Sequence, residues 1–171
     1  MILIALHGPI GSGKSTAAEY IACELAKSQS VMLASLAATL KVHAGKIGWD
    51  GAKDKRGRRF LQKLGQTGRE YDARLWIDKW LDGVIAADFD VVVTDDLRYE
   101  NEFNILANGF WFEKKFFIKI KGRRAHPWWA PVSWHKSERQ LADWRFDSVI
   151  YNNGSLEQFK ATILAEIKGV T

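Results

Sequence analysis

Ile2-Leu3-Ile4-Ala5-Leu6-His7-Gly8-Pro9-Ile10-Gly11-Ser12-Gly13-Lys14-Ser15 is the stretch that decides the fold. Ile2 to Leu6 is a short apolar run, long enough for a buried strand, and a glycine-rich loop follows it directly. Ala17, Ala18, Ile21, Ala22 and Leu25 then recur at helical spacing, so a helix with one apolar face opens where the loop ends. Strand, G-x-x-x-x-G-K-[ST], helix is the context in which a Walker A pattern carries its mechanism. Glycines let backbone N–H groups curl around an anion where a Cβ would interfere. The helix start adds unpaired N–H groups and a positive dipole end. The predicted nucleotide-phosphate site comprises Gly8, Ile10, Gly11, Ser12 and Gly13 of the loop, with Lys14, Ser15 and Thr16 at the helix start. Lys14 is expected to reach the β- and γ-phosphates of the nucleotide, and the Ser15 hydroxyl to ligate Mg²⁺.

Working outward, Val31 to Leu36 reads as a second buried strand, followed by a helix over about Ala37 to Ile47 and a polar loop from Gly48 to Gly57. Phe60, Leu61 and Leu64 start a helix running towards Tyr71. Leu75, Trp76, Trp80, Leu81, Val84 and Ile85 give the next helix its apolar face. Asp90-Val91-Val92-Val93-Thr94-Asp95-Asp96 is a buried strand ending in two acids, and Tyr99 to Asn108 a helix with Gly109 beyond its end. Phe116 to Ile120 and Phe146 to Tyr151 are further strands. Ser137-Glu138-Arg139-Gln140 and Ser155-Leu156-Glu157-Gln158 fit capping boxes, the second opening a terminal helix with Leu156, Phe159, Ile163 and Ile167 on its apolar side. Strands alternating with helices predict an α/β three-layer fold, a parallel sheet flanked by helices.

The 171 residues suit a single domain, residues 1–171. At 47% hydrophobic and 26% charged, the composition is that of a globular chain. No apolar run approaches the ~18–20 residues that a membrane helix needs, and the start lacks a signal-peptide pattern, so a cytoplasmic location is expected. Cys23, the sole cysteine, allows no internal disulfide and is expected as a small buried hydrophobe beside the apolar stripe of the first helix. The net charge of +5 suits an enzyme of phosphorylated substrates as well as a nucleic-acid binder. The densest basic clusters, Lys53 to Arg59 and Lys119 to Arg124, are separate, as parts of a cleft would be.

The run ending in Asp95 delivers a carboxylate to the phosphate side of the sheet, to hold Mg²⁺ or orient a nucleophile. Either Asp95 or Asp96 can take that role, and their order stays open at this point. Arg98 follows close enough to face a phosphate. Arg123 and Arg124 sit in an irregular segment, residues 122–135, with two prolines, two histidines and three tryptophans. A mobile loop supplying arginines to a transferring phosphoryl group excludes water and spreads developing charge. Arg58 and Arg69 lie between loop and acid strand, and either could grip a second substrate's phosphate through a bidentate contact. Trp80 is expected in the core, and Trp76 half in core and half at a cleft wall. Trp128, Trp129 and Trp134 are expected to pack the closed loop. His126 and His135 are hydrogen-bonders rather than metal ligands, because no carboxylate or cysteine stands at ligand spacing.

Several segments together resemble a family. Leu61-Gln62-Lys63-Leu64-Gly65 with Arg69 and Trp76 is similar to the "LQ-x-LG … R … W" stretch of phage-type deoxynucleoside monophosphate kinases. Asp96-Leu97-Arg98-Tyr99-Glu100-Asn101-Glu102 resembles their "D-V-R-F/Y-x-N-E" segment. His135-Lys136-Ser137-Glu138, then Asp147, Ile150, Asn152, Asn153 and Gly154, resembles their closing "H-x-S-E … D-x-x-I-x-N-x-G". The resemblance spans nearly the whole chain and implies an adenylate-kinase-like P-loop NTPase fold with a mobile lid over residues 122–136 and acceptor-binding helices over 37–88. It implies transfer of the γ-phosphoryl of ATP, with Mg²⁺, to a deoxynucleoside 5′-monophosphate. On matching positions, Lys14, Asp95, Asp96, Arg123 and Arg124 become catalytic, with Ser15 and Asp95 at the metal. Arg58, Gln62, Arg69, Trp76 and Arg98 become acceptor-binding, and the Asn152–Gly154 loop borders the donor adenine. A homodimer and a host-cytoplasmic location would also fit that family.

The runner-up from sequence is a P-loop kinase of another small phosphorylated or hydroxylated acceptor, of the dephospho-coenzyme A kinase type. An NTP-hydrolysing switch or nucleic-acid-associated motor is a third class. Against it, the chain has no N-K-x-D base-reading motif and little room for a second lobe.

Overall fold

A run such as Ile2 to Leu6, apolar at every position, can be buried on both faces only with strands on either side and helices above and below. That is where it lies. The structure, a computed structural model, describes residues 1–52, 54–122, 141 and 144–170. Its elements in chain order are β1 (Ile2–His7), α1 (Lys14–Leu25), β2 (Val31–Leu33), α2 (Leu36–Lys46), α3 (Lys55–Tyr71), α4 (Leu75–Ala87), β3 (Val91–Thr94), α5 (Glu100–Asn108), β4 (Lys114–Gly122), β5 (Ser148–Asn152) and α6 (Leu156–Ile167). They form two compact units, Met1–Ala34 with Asp88–Thr171, and Ser35–Ala87.

The first unit carries a five-stranded sheet in the order β2-β3-β1-β4-β5, every pairing parallel. β1 is central, with Ile2 opposite Val91 on one side and Lys114 on the other. Side chains alternate across a strand, so each residue chooses its layer by parity. Ile4, Leu6, Val91, Val93, Ile118, Ile120 and Ile150 pack against Ala17, Ala18 and Ile21 of α1 and Phe159 and Ile163 of α6. The opposite parity places Phe117 against Phe103 of α5, with ring centroids 4.4 Å apart. The predicted three-layer parallel α/β architecture is therefore present in this unit.

The second unit is three helices. α3, sequence KRGRRFLQKLGQTGREY, buries only Gly57, Gly65 and Gly68, so it meets its neighbours largely through backbone. The Trp76 indole N–H donates to the Gly65 carbonyl at 3.0 Å, and a Cβ on Gly68 would collide with that same indole ring.

Several expectations need correction. Cys23 is exposed, not buried; two residues beyond Ile21 it points about 200° around the helix, away from the stripe of Ala17, Ala18, Ile21 and Leu25. β2 ends at Leu33, and Leu36 already begins α2. α3 starts at Lys55 rather than near Phe60, because the Asp54 carboxylate caps it by accepting from the Gly57 N–H at 2.7 Å. On α4 the buried set is Ile77, Trp80, Leu81 and Val84, while Ile85 is exposed. Leu156 is exposed as well, since it is the first residue of α6, ahead of the stripe formed by Phe159, Ile163 and Ile167. The capping box predicted at Ser155 is present: Ser155 Oγ accepts from Gln158 N at 3.2 Å, and Gln158 Oε1 accepts from Ser155 N at 2.9 Å. The predicted lid, with Arg123, Arg124, His126, the three loop tryptophans, His135 and the Ser137 capping box, lies outside the described residues.

Candidate active site

β1 ends at His7, and Gly8 turns the chain out of the sheet. A Cβ on Gly8 would run into the Ile120 carbonyl of the neighbouring strand, so only glycine lets the loop leave this close to β4. Gly11 and Gly13 take positive φ, 76° and 98°. Gly13 is the N-cap of α1 and no side chain caps that helix; its first turn also carries no acid. α3 and α6, by contrast, are capped by Asp54 and Ser155. An uncapped helix start behind a curled glycine loop leaves backbone donors and a positive dipole end for an anion.

Lys14 Nζ donates to the carbonyls of Gly8 and Pro9, at 2.7 and 2.8 Å, and so closes the loop on itself. These oxygens are the near side of the cradle, which keeps the ammonium at the loop it serves. The Ser12 hydroxyl is buried and makes no hydrogen bond among the described residues. Ile10 is half-buried, and Gly11, Ser15 and Thr16 are exposed at the loop and the helix start.

The two acids at the end of β3 have different hydrogen-bond partners. Ser15 Oγ donates to Asp95 Oδ2 at 2.5 Å, whereas Asp96 Oδ1 accepts from Thr94 Oγ1 at 3.0 Å. A hydroxyl and a carboxylate held together are hard oxygen donors, the set that suits Mg²⁺. Among the described residues no cluster of three or more His, Cys, Asp or Glu could cage a metal. Arg98 lies half-buried in the β3–α5 connection, where Glu102 Oε2 accepts from its backbone N–H at 3.1 Å.

Sequence reasoning passed over two features of this unit. His7, Lys119 and Phe146 form a layer on the sheet face opposite α1: His7 stacks on Phe146 at 5.3 Å, and the Lys119 ammonium lies 5.2 Å from the same ring. His7 is almost fully buried, with Nδ1 at 2.9 Å from the Leu97 carbonyl oxygen. The only sequence signal was a histidine and a lysine at inward-facing positions of apolar strands. The second feature is a bond of Asn152, a residue that the resemblance places beside the donor adenine: its Nδ2 donates to the Ser12 carbonyl oxygen at 3.0 Å.

Within the second unit, Arg69 and Trp76 come together over Gly65. A Cβ there would lie 3.3 Å from Arg69 Nη2 and 3.2 Å from Leu40 Cδ2, and the indole N–H of Trp76 is bonded to the Gly65 carbonyl. His43 meets Trp76 edge-on at 5.9 Å and has Nδ1 at 2.9 Å from the Thr39 carbonyl oxygen. Gln62 and Arg58 are exposed on the same side of α3 as Gly65 and Arg69, by their i, i+4, i+7 spacing.

Solved structures share the fold. A shikimate kinase from Aquifex aeolicus matches over 98% of this chain and 97% of its own, with a TM-score of 0.56 and 16% identity. An unliganded sugar kinase from a Janibacter species matches over 98% and 95%, with a TM-score of 0.50 and 18% identity. The chain has the P-loop NTPase fold. Neither a protein-family model nor a curated protein sequence matches it. Among the described residues, no helix of this P-loop protein is long and apolar enough to cross a membrane.

Proposed function

We propose that this chain is an ATP-dependent small-molecule phosphotransferase, and specifically a kinase that moves the γ-phosphoryl of ATP onto a deoxynucleoside 5′-monophosphate, giving ADP and a deoxynucleoside diphosphate. The observation that carries the phosphotransferase reading is the Ser15–Asp95 pairing at the start of α1, next to a glycine loop closed by Lys14. The acceptor class rests on the three sequence segments around Gln62, Arg98 and Asn152, and is supported by the meeting of Arg69 and Trp76 over Gly65.

Phosphoryl transfer needs little covalent help from a protein. The acceptor phosphate is itself a competent nucleophile, so the work is to bring two polyanions into line and neutralise their repulsion. Gly11 and Gly13 supply backbone N–H groups to the donor phosphates, while the Ser12 N–H is held inside the loop by the Pro9 carbonyl at 3.2 Å, and Lys14 swings its ammonium from the loop carbonyls onto them. Ser15 and Asp95 would hold Mg²⁺, which would supply charge to offset that of the phosphates. Arg69 and Arg98, with Arg58 and Gln62, bind the acceptor. Arg123 and Arg124 act from the lid, where closure keeps water from taking the phosphoryl group.

The two solved structures are by name a shikimate kinase and a sugar kinase, which favours a second reading: a small hydroxylated acceptor in place of a monophosphate. One experiment separates them. ADP release from ATP–Mg²⁺ is measured across deoxy- and ribonucleoside monophosphates, shikimate, gluconate and simple sugars, with a no-acceptor control and a Lys14→Ala control. Turnover with deoxynucleoside monophosphates alone is the expected result. Turnover with a polyol alone establishes the second reading, and ATP consumption without any acceptor overturns both.

A further inference from the structure

Asn152 is the last residue of β5, and its side chain reaches across to a loop encoded 140 residues earlier, donating from Nδ2 to the Ser12 carbonyl oxygen at 3.0 Å. The amide has one sensible orientation, because turning it over would set Oδ1 against a carbonyl oxygen with no proton between them. Two glycines of positive φ lie against this residue, Gly13 against its side-chain amide and Gly122 against its backbone carbonyl. At Gly13, φ 98°, a Cβ would lie 2.6 Å from Asn152 Nδ2 and 3.3 Å from the Phe159 ring; at Gly122, φ 103°, it would lie 2.7 Å from the Asn152 carbonyl oxygen. Loop and β4 end thus close on one residue, the loop on its side chain and the end of β4 on its backbone carbonyl.

The consequence lies in the peptide that Asn152 holds. The Ser12–Gly13 peptide is trans, as are all the peptides described. In a trans peptide the carbonyl and the following N–H point to opposite sides of the chain. With the Ser12 oxygen drawn towards Asn152, the Gly13 N–H is turned the other way, off the β5 side. Left unheld, a glycine-flanked peptide rotates readily, since Gly13 accepts either sign of φ.

We propose that Asn152 is a positioning residue of the phosphate site: it fixes the Ser12–Gly13 peptide so that the Gly13 N–H is presented to the polyphosphate of a bound nucleotide. This rests on the nucleotide reading of the Gly8–Lys14 loop given above. It differs from a role at the donor base, because its effect falls on the phosphates.

The test compares the wild-type protein with Asn152→Leu, which keeps the size and removes the donor, and with Asn152→Asp, which keeps the shape but sets an acceptor against the Ser12 oxygen. Titration calorimetry gives the affinity of each for ATP–Mg²⁺, inorganic tripolyphosphate and adenosine. Thermal unfolding identifies any variant that does not fold. The backbone amide resonance of Gly13 is followed by NMR. The expected result is a loss of about tenfold for both ATP and tripolyphosphate, an unchanged response to adenosine and a displaced Gly13 resonance, as for one misdirected charge-assisted hydrogen bond. Unchanged tripolyphosphate affinity overturns the proposal. So does a loss confined to ATP and adenosine, which assigns Asn152 to the base. Should both variants fail to fold, the wild-type Gly13 amide decides: a resonance that tripolyphosphate does not move overturns the proposal. Wild-type protein that binds neither ATP nor tripolyphosphate overturns the nucleotide reading itself.

Discussion

Ser15 and Asp95 are joined by a 2.5 Å hydrogen bond between residues 80 apart in the chain, and it ties the first turn of α1 to the end of β3. Asp96, next to it, faces its own strand and bonds Thr94. Two adjacent carboxylates that look equivalent in the sequence therefore have different neighbours, and the difference can be measured.

Asp95→Asn is expected to raise the Mg²⁺ concentration needed for half-maximal turnover by roughly tenfold or more, as loss of a carboxylate at a metal site does. Asp96→Asn is expected to leave that concentration within about twofold, whatever it does to kcat. A Mg²⁺ titration of ADP release at fixed ATP distinguishes the two. Equal shifts would show that the carboxylates share the ion.

Arg69→Ala is expected to raise the acceptor KM or lower kcat by about tenfold or more while the KM for ATP changes little, the signature of one lost guanidinium–phosphate contact. Steady-state kinetics with each substrate varied in turn read this directly. An unchanged acceptor response removes Arg69 from the site.

Gly68→Ala is expected to destabilise the protein by about 1–3 kcal/mol, the usual range for overpacking, because its Cβ would enter the Trp76 indole. Denaturant unfolding followed by tryptophan fluorescence measures it. Gly83→Ala is the control. It also lies mid-helix, but its Cβ would meet nothing within 4 Å, so a gain of up to about 1 kcal/mol is expected there from helix propensity.

Cys23 is expected to react with a disulfide reagent in the folded protein at a rate within about tenfold of a small-molecule thiol, because it is exposed on α1. A thiol titration with and without denaturant checks this. A native-state rate suppressed a thousandfold would restore the buried assignment made from the sequence.

Asp90 couples the starts of β2 and β3. Its Oδ2 accepts from Ser30 Oγ at 2.6 Å and Ser30 N at 2.8 Å, and these bonds hold its carboxyl below the ordinary value, the hydroxyl contributing most. A depressed carboxylate pKa gives stability that is complete above the unfolded-state value of about 3.9 and is lost as pH falls through the folded value. Asp90→Asn is therefore expected to lower the denaturation midpoint at neutral pH, with the difference from wild type shrinking below about pH 4. A difference that grows on acidification would contradict this account.

Most of the sheet was legible because its strands are apolar runs bounded by polar turns, and because the Gly8–Lys14 loop announces what must precede and follow it. Parity did the rest for Ile4, Leu6, Ile118 and Ile120. Leu156 stands on the face of Ile163, seven residues on, and is exposed because it is the first residue of α6; Cys23 was misread for another reason. Helical spacing identifies neighbours of a stripe, but membership turns on a few tens of degrees of rotation that depend on where the helix is placed. The α3 start was missed because Gly57, a helix breaker by composition, sits inside the helix at a close approach to the Ala52 carbonyl. In the site, Lys14, Ser15 and Asp95 could be named from motif spacing. The division between Asp95 and Asp96, and the Asn152–Ser12 bond, depend on side-chain direction and on contacts between distant segments, which a linear pattern does not encode.

The central place of β1 sets an order of events during synthesis. Ile2 to His7 leaves the ribosome before either of its sheet neighbours, Val91–Thr94 and Lys114–Gly122, so one of its edges stays open until β3 has been made and the other until β4 has. α2, α3 and α4 pack against one another and need no later residue to do so. An unfinished chain therefore carries helices beside an exposed apolar ribbon, the kind of edge that seeks other strands. The loop after β1 is translated long before Asn152, the residue whose amide bonds its Ser12 carbonyl.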